Sequence, residues 1–111
     1  MTPRLTADFW VRAYLTRLRL ADIPAFVTAR GDATGGAVMV KLATLDGQAR
    51  VYQRMFDLMQ DRRAWVLRLA GPEAEIDALI SRERARDPDL WVIEVEDRAG
   101  RHLLDEPGLS E

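Results

Sequence analysis

The pattern of apolar and polar positions predicts a helix near the start of the chain. Apolar residues recur every three or four positions between residues 7 and 21, with charged residues between them, as in a helix that buries one face. Thr6 is a suitable N-cap, and Pro24 prevents the helix from continuing. The face expected to pack on the core consists of Trp10, Val11, Tyr14, Leu15 and Leu18.

A second, narrower apolar strip lies on the same predicted helix. It consists of Phe9, Ala13 and Leu20 and exceeds what a single sheet can cover. Apolar surface that remains after a core is covered often marks a contact with another chain. We therefore expect this strip to take part in a homodimer or to bind a protein partner.

From residue 25 onward the hydrophobic period changes to two, which is typical of strands. Gly71 and Pro72 then start a second helix, which ends near Asp87 and Pro88. A strand, a helix and a strand in succession form a right-handed crossover, so the strands on either side of this helix should be parallel. The five predicted strands span residues 25–30, 37–45, 49–56, 64–70 and 90–96.

These elements predict the fold class α+β, as a two-layer sandwich with a mixed, mostly antiparallel five-stranded sheet. The element order is α-β-β-β-β-α-β, and the first helix covers the main hydrophobic face. The second helix has a narrow apolar stripe, so it should lie at the sheet edge or be half exposed. We expect residues 1–111 to form a single domain whose tail is frayed from about residue 105.

Composition excludes several classes of function. The 111 residues are 48% hydrophobic and 31% charged, the balance of a globular domain and not of a disordered chain. The chain has no cysteine, which excludes disulfides, thiolate metal sites and cysteine nucleophiles. No apolar run approaches the length of a membrane span, and the N-terminus lacks a leader pattern, so we expect a cytoplasmic protein.

Charge is unevenly distributed along the chain, although the formal net charge is only −2. Residues 1–56 carry eight Lys or Arg against four Asp or Glu, a balance of +4, and residues 57–111 carry eight against fourteen, a balance of −6. Such a split can steer an antiparallel self-association, or bring an acidic partner onto the first half. The basic residues form no dense cluster, so we do not expect nucleic acid as the main partner.

The spacing of Gly31 and Gly36 matches that of a phosphate-binding loop. Such a loop continues with Lys and Ser or Thr and then a helix, whereas here Gly36 precedes Ala37 and a predicted strand. Asp32 would also place a negative charge in the cradle. The stretch therefore indicates a hairpin turn between two neighbouring strands, and Lys41 is expected on the wetter face of the second strand.

Two acidic side chains and the single histidine form the sharpest candidate for chemistry. Glu94 and Glu96 lie two positions apart on one face of the fifth strand, and His102 follows after a turn. Carboxylates and an imidazole can bind a divalent metal or share acid and base roles. We favour a simpler interpretation, in which these residues line the solvent-facing margin of the sheet and discourage edge pairing.

A third candidate surface lies on the third predicted strand. Arg50, Tyr52 and Arg54 alternate along one face and place an aromatic ring between two cations. Such a face can stack bases or bind an acidic partner. A solvated sheet face, with the tyrosine ring lying over it, explains the same pattern and is the interpretation we favour.

The strings "ARGDATGGA" and "DPDLWVIEVED" carry a resemblance that covers nearly the whole chain. They make the sequence similar to an uncharacterised alphaproteobacterial family, the family of domains of unknown function numbered 1491. The resemblance implies a small bacterial cytoplasmic protein of one domain. That family has no assigned activity, so the resemblance transfers no catalytic residue to this chain.

The sequence as a whole predicts a non-catalytic interaction or regulatory module that forms a homodimer or binds a protein partner, with no membrane association. It assigns no catalytic residue, metal or cofactor. The leading alternative is a metal-dependent or small-ligand enzyme that uses Glu94, Glu96 and His102. A second alternative is weak nucleic-acid binding through the third-strand residues 50, 52 and 54.

Overall fold

A computed structural model describes residues 5–110 and contains the predicted elements in the predicted order. The α+β class and the mixed, mostly antiparallel sheet of five strands are confirmed. None of the helices within the described residues is both long and apolar enough to cross a membrane. The elements are α1 (Ala7–Leu20), β1 (Ala25–Ala29), β2 (Val38–Ala43), β3 (Gln48–Asp57), β4 (Arg62–Pro72), α2 (Glu73–Arg86) and β5 (Trp91–Glu96).

The strands are arranged in the order β1-β5-β2-β3-β4, with β5 parallel to β2 and every other neighbouring pair antiparallel. The strands on either side of α2, β4 and β5, therefore run in the same direction as predicted, but β2 and β3 lie between them. β5 also separates β1 from β2. The glycine loop consequently spans the end of β5 and does not close a hairpin between neighbouring strands.

The face of the sheet that packs on α1 holds the larger hydrophobic core. The register places Val40 beside Ile93 of β5 and beside Tyr52 of β3, so these side chains share one face. Against them lie Trp10 and Tyr14 of α1, which are 2% and 0% exposed. The helix begins where Thr6 Oγ1 accepts a hydrogen bond from the backbone N–H of residue 9, as the N-cap prediction requires.

The opposite face of the sheet is partly covered by α2. Ile76 packs on Met39, Val51 and Val92, and it is the one fully buried residue of this helix. The rest of α2 is exposed or half-buried, as its narrow apolar stripe predicts. The predicted two layers are α1 and the sheet, and α2 adds partial cover on the second face.

The segment after β5 crosses the α1 side of the sheet. Leu104 and Leu109 are buried in the larger core, at 1% and 2% exposure. The indole nitrogen of Trp65 donates a hydrogen bond of 3.0 Å to the Leu109 carbonyl. Although the sequence suggests fraying from about residue 105, this segment packs on the domain through residue 109.

The hairpin of β3 and β4 is longer than the rest of the sheet. β2 pairs with β3 only between residues 49 and 53, whereas β3 and β4 pair as far as Asp57 and Arg62. Residues 54–57 therefore have strand neighbours on one side only within the described chain. We call residues 54–67 the arm.

Candidate functional site

Four amides of the glycine loop already donate to acceptors of the protein itself. One carboxylate oxygen of Asp32 accepts hydrogen bonds from the N–H groups of Thr34 and Gly35, at 3.2 and 2.8 Å. The Gly36 N–H donates to the Asp32 carbonyl, and the Asp32 N–H donates to the Asp89 carbonyl. β2 follows without a helix, so the stretch is a turn and not a phosphate-binding loop. The expected hairpin between neighbouring strands is wrong, because β5 lies between β1 and β2.

Lys41 is buried under α2, so its predicted position on a wet face is wrong. Only 5% of the residue is exposed. Its Nζ lies 2.7 Å from Asp77 Oδ1, 2.8 Å from Glu73 Oε1 and 3.4 Å from Glu94 Oε1. These carboxylates raise the pKa of Lys41 despite its burial, so the side chain is charged and ties α2 to the sheet.

The sheet separates the residues of the predicted acid and base site. Glu94 pairs with Lys41 in the register and lies on the α2 side, and Glu96 follows two positions later on the same face. His102 lies on the α1 side, with its ring centroid 4.7 Å from that of Tyr52. The structure therefore does not bring the three side chains together, and residues 5–110 contain no cluster of His, Asp and Glu suited to a metal ion.

A large cleft lies on the α1 side of the sheet, over β3 and β4. Its volume is about 940 Å³, and it opens between the arm, the start of α1 and the segment after β5. Tyr52 and Arg54 contribute to its lining from β3, and Trp65 contributes from β4. This volume lies within the range of small-molecule sites.

Two members of an aromatic cluster, Trp10 and Trp65, line the cleft. The Trp10 ring stacks on Tyr14 with centroids 4.9 Å apart, and it lies 5.2 Å from Trp65. The Arg54 guanidinium lies over both indoles, at 5.5 and 5.8 Å from their centroids. Both geometries fall within the range of cation–π contacts. The helical spacing of Trp10 and Tyr14 predicts only a place in the core, and the strand pattern around Trp65 gives no sign that its ring joins them.

Of the basic and aromatic residues predicted on β3, the structure brings two to the cleft. Tyr52 is half-buried against His102, and Arg54 packs on the indoles. Arg50 is exposed and lines a smaller depression beside Arg98 and Gly100. The alternation along the strand predicts that the three side chains share a face. It does not show that they line two different depressions.

The predicted apolar strip on α1 faces outward. Phe9 is 58% exposed and Leu20 is 78% exposed, while Ala13 is half-buried. A larger exposed apolar surface lies on the arm, which the sequence analysis did not single out. The signal that could have found it is the apolar run "MF-LM" at residues 55–59, where the chain turns between strands and polar residues are expected.

His102 is held by its neighbours in the neutral form. Its Nδ1 accepts a hydrogen bond of 2.9 Å from the Leu104 N–H, and its carbonyl accepts one of 2.8 Å from the Tyr14 hydroxyl. Burial lowers the pKa of His102; Asp105 opposes this effect, and Arg50 adds to the lowering. The tautomer that fits carries its proton on Nε2.

We expect the free energy of unfolding to fall as the pH drops below about 6.5, the ordinary pKa of histidine in an unfolded chain. The unfolded state then binds a proton that the folded state does not bind, until the pH reaches the lower folded pKa. His102→Asn keeps an acceptor for the Leu104 N–H but cannot titrate. Urea unfolding between about pH 7.5 and 5.5 should show a steeper decline for the natural chain. Equal slopes, or an NMR pKa above the ordinary value, would contradict the assignment.

Comparisons with known proteins agree with this architecture. A crystal structure of a DUF1491 family protein from Caulobacter crescentus is 39% identical, with a TM-score of 0.81 over 93% of this chain and 95% of that chain. An NMR structure of a DUF1491 family protein from the same organism is 38% identical, with a TM-score of 0.82 over 96% and 97%. The solution structure of protein Atu0922 from A. tumefaciens is 34% identical, with a TM-score of 0.72 over 85% and 86%.

The similarity also extends to a family model. Residues 5–105 match the model described as a protein of unknown function, DUF1491. No curated protein matches the chain. Since the match covers nearly all of the sequence and agrees with the structural relatives, the chain belongs to the DUF1491 family, whose function is unknown.

Proposed function

We propose that this protein is a non-catalytic interaction module that assembles with a second copy of itself through the arm. The observation that carries the proposal is the concentration of exposed apolar side chains on this short ribbon. Eleven large hydrophobic residues are exposed among residues 5–110, and six of them lie on the arm. The six are Met55, Phe56, Leu58, Met59, Val66 and Leu67.

This surface is costly to leave in water. Leu58 and Met59 at the tip are 84% and 94% exposed, so they contribute almost nothing to the core of a single chain. Full burial of each such side chain stabilises an assembly by about 1.5–3 kcal/mol. A clustered apolar surface at one end of a domain is typical of a site that binds another protein.

The charges of the arm favour a second copy as the partner. Asp57 precedes the tip, and Asp61, Arg62 and Arg63 follow it. In a two-fold assembly the same patch meets itself in the opposite direction, so acids of one copy face arginines of the other. The hydrophobic tip would then be enclosed between two complementary charged rims.

Mass in solution tests the proposal. We expect light scattering of the natural chain at about 1 mM to give the mass of two chains, falling toward that of one on dilution. Leu58→Ser/Met59→Ser should give a single-chain mass at every concentration and retain its folded NMR spectrum. These side chains are nearly free of contacts, so their loss does not damage the core.

Phe9→Ser/Leu20→Ser is the matched control, because it removes two exposed apolar side chains from α1 and leaves the arm unchanged. It should retain the two-chain mass. A single-chain mass for the natural protein at high concentration would contradict the proposal. A two-chain mass abolished by the α1 substitutions and not by the arm substitutions would contradict the choice of surface.

A further inference from the structure

We infer that the cleft between the arm, α1 and the segment after β5 binds a small anionic molecule that carries an aromatic ring. The assembly proposed above is carried by the exposed tip at Leu58 and Met59, and this site is carried by the cleft on the α1 side. The two share Phe56, Asp61, Arg62 and Arg63, so the site is tested below on a variant that is designed not to self-associate.

The lining of the cleft suits a flat ring. Trp65 and Tyr52 are half-buried and present indole and phenol surface to the space. Phe56 and the almost fully buried Trp10 and Leu104 complete the apolar lining. The volume of about 940 Å³ exceeds that of the gaps found in ordinary packing and is sufficient for a ligand with a ring and a charged group. Aromatic walls favour stacked or edge-on contact with another ring.

The arm supplies cations that are available to an anion. Arg62 and Arg63 line the cleft, and neither makes an ion pair within the described residues. Two acids, Asp61 and Asp105, also lie in the lining and disfavour an anion next to them. A guanidinium binds a carboxylate or a phosphate through paired hydrogen bonds, which a neutral group does not match.

A buried donor next to the cleft lacks an acceptor. The Trp10 Nε1 is closed to solvent and makes no hydrogen bond with any described residue, whereas Trp65 and Trp91 donate to the carbonyls of Leu109 and Asp32. Buried indole N–H groups normally have a partner. Because this nitrogen is closed to solvent, its NMR signal reports a ligand that changes the surroundings of the Trp10 ring.

The three indole N–H signals of the chain provide the test. Phenyl phosphate, added to the full chain up to about 10 mM, should shift the Trp10 signal in a saturable way. The Trp91 signal should not move, because this residue is absent from the cleft lining and already has an acceptor. Benzyl alcohol, which lacks the charge, and inorganic phosphate, which lacks the ring, should produce no saturable Trp10 shift.

Arg62→Gln/Arg63→Gln should weaken the binding of phenyl phosphate by about tenfold or more. Arg82→Gln on the exposed face of α2 is the matched control and should not change it. Absence of a saturable Trp10 shift would overturn the inference, as would equal affinity for benzyl alcohol or no effect of the arginine substitutions. Repeating the titration with Leu58→Ser/Met59→Ser, which is designed not to self-associate, separates a failure of this site from a failure of the proposed assembly.

Discussion

Gly31→Ala is expected to lower the free energy of unfolding by about 3 kcal/mol, the upper end of the cost of overpacking. A Cβ at this position would lie 2.1 Å from the Asp89 carbonyl oxygen and 2.7 Å from the Trp91 nitrogen. Both are backbone atoms, and both already make hydrogen bonds, to Asp32 and Ala37. The loop cannot move away without breaking hydrogen bonds at the start of β5. The substitution should therefore lower the stability of the whole domain.

Gly35→Ala is the matched control for this prediction. A Cβ on Gly35 meets no described atom within 4 Å, so its effect should stay within about 0.5 kcal/mol. Urea unfolding of the two variants measures the difference directly. We explain the glycine at position 31 by its close approach to the backbone just before β5, and not by anion binding. Similar free energies of unfolding for the two variants would contradict this explanation.

Glu73→Gln/Asp77→Asn is expected to lower the free energy of unfolding by about 2–4 kcal/mol. The double substitution leaves the buried Lys41 ammonium with Glu94 as its one carboxylate partner within the described chain. Lys41→Met should cost less than this. Methionine fills a similar space, and the three carboxylates retain contact with water, with side chains 43%, 58% and 25% exposed.

Glu75→Gln serves as the control on the same turn of α2, because this residue is exposed and makes no ion pair among the described residues. It should change stability by less than about 0.5 kcal/mol. Thermal or urea unfolding at low salt ranks the variants. A larger cost for Lys41→Met than for the double carboxylate variant would contradict the role given to the buried cation.

Local pattern was enough to predict each helix and strand of the fold. The period of three to four residues marked α1, and the Thr6 cap fixed its start. The period of two marked the strands to within about two residues. Strand order was beyond this reasoning, because the insertion of β5 between β1 and β2 depends on contacts between residues far apart in sequence.

The candidate site was less accessible to sequence reasoning. Lys41 was expected on a wet face, since the narrow stripe of α2 gave no sign that its acidic first turns would cover that strand. Glu94 and His102 are near in sequence, yet the turn after β5 carries them to opposite sides of the sheet. The cleft joins α1, the arm and the final segment, so no single stretch of sequence shows it.

Contacts between the arms of two chains test the central claim most directly. In a sample that mixes isotope-labelled and unlabelled chains, we predict intermolecular NOEs from the methyl groups of Leu58 and Met59 to arm residues of the other copy. Absence of such contacts at a concentration where two-chain particles exist, or contacts confined to Phe9 and Leu20, would contradict the proposed assembly.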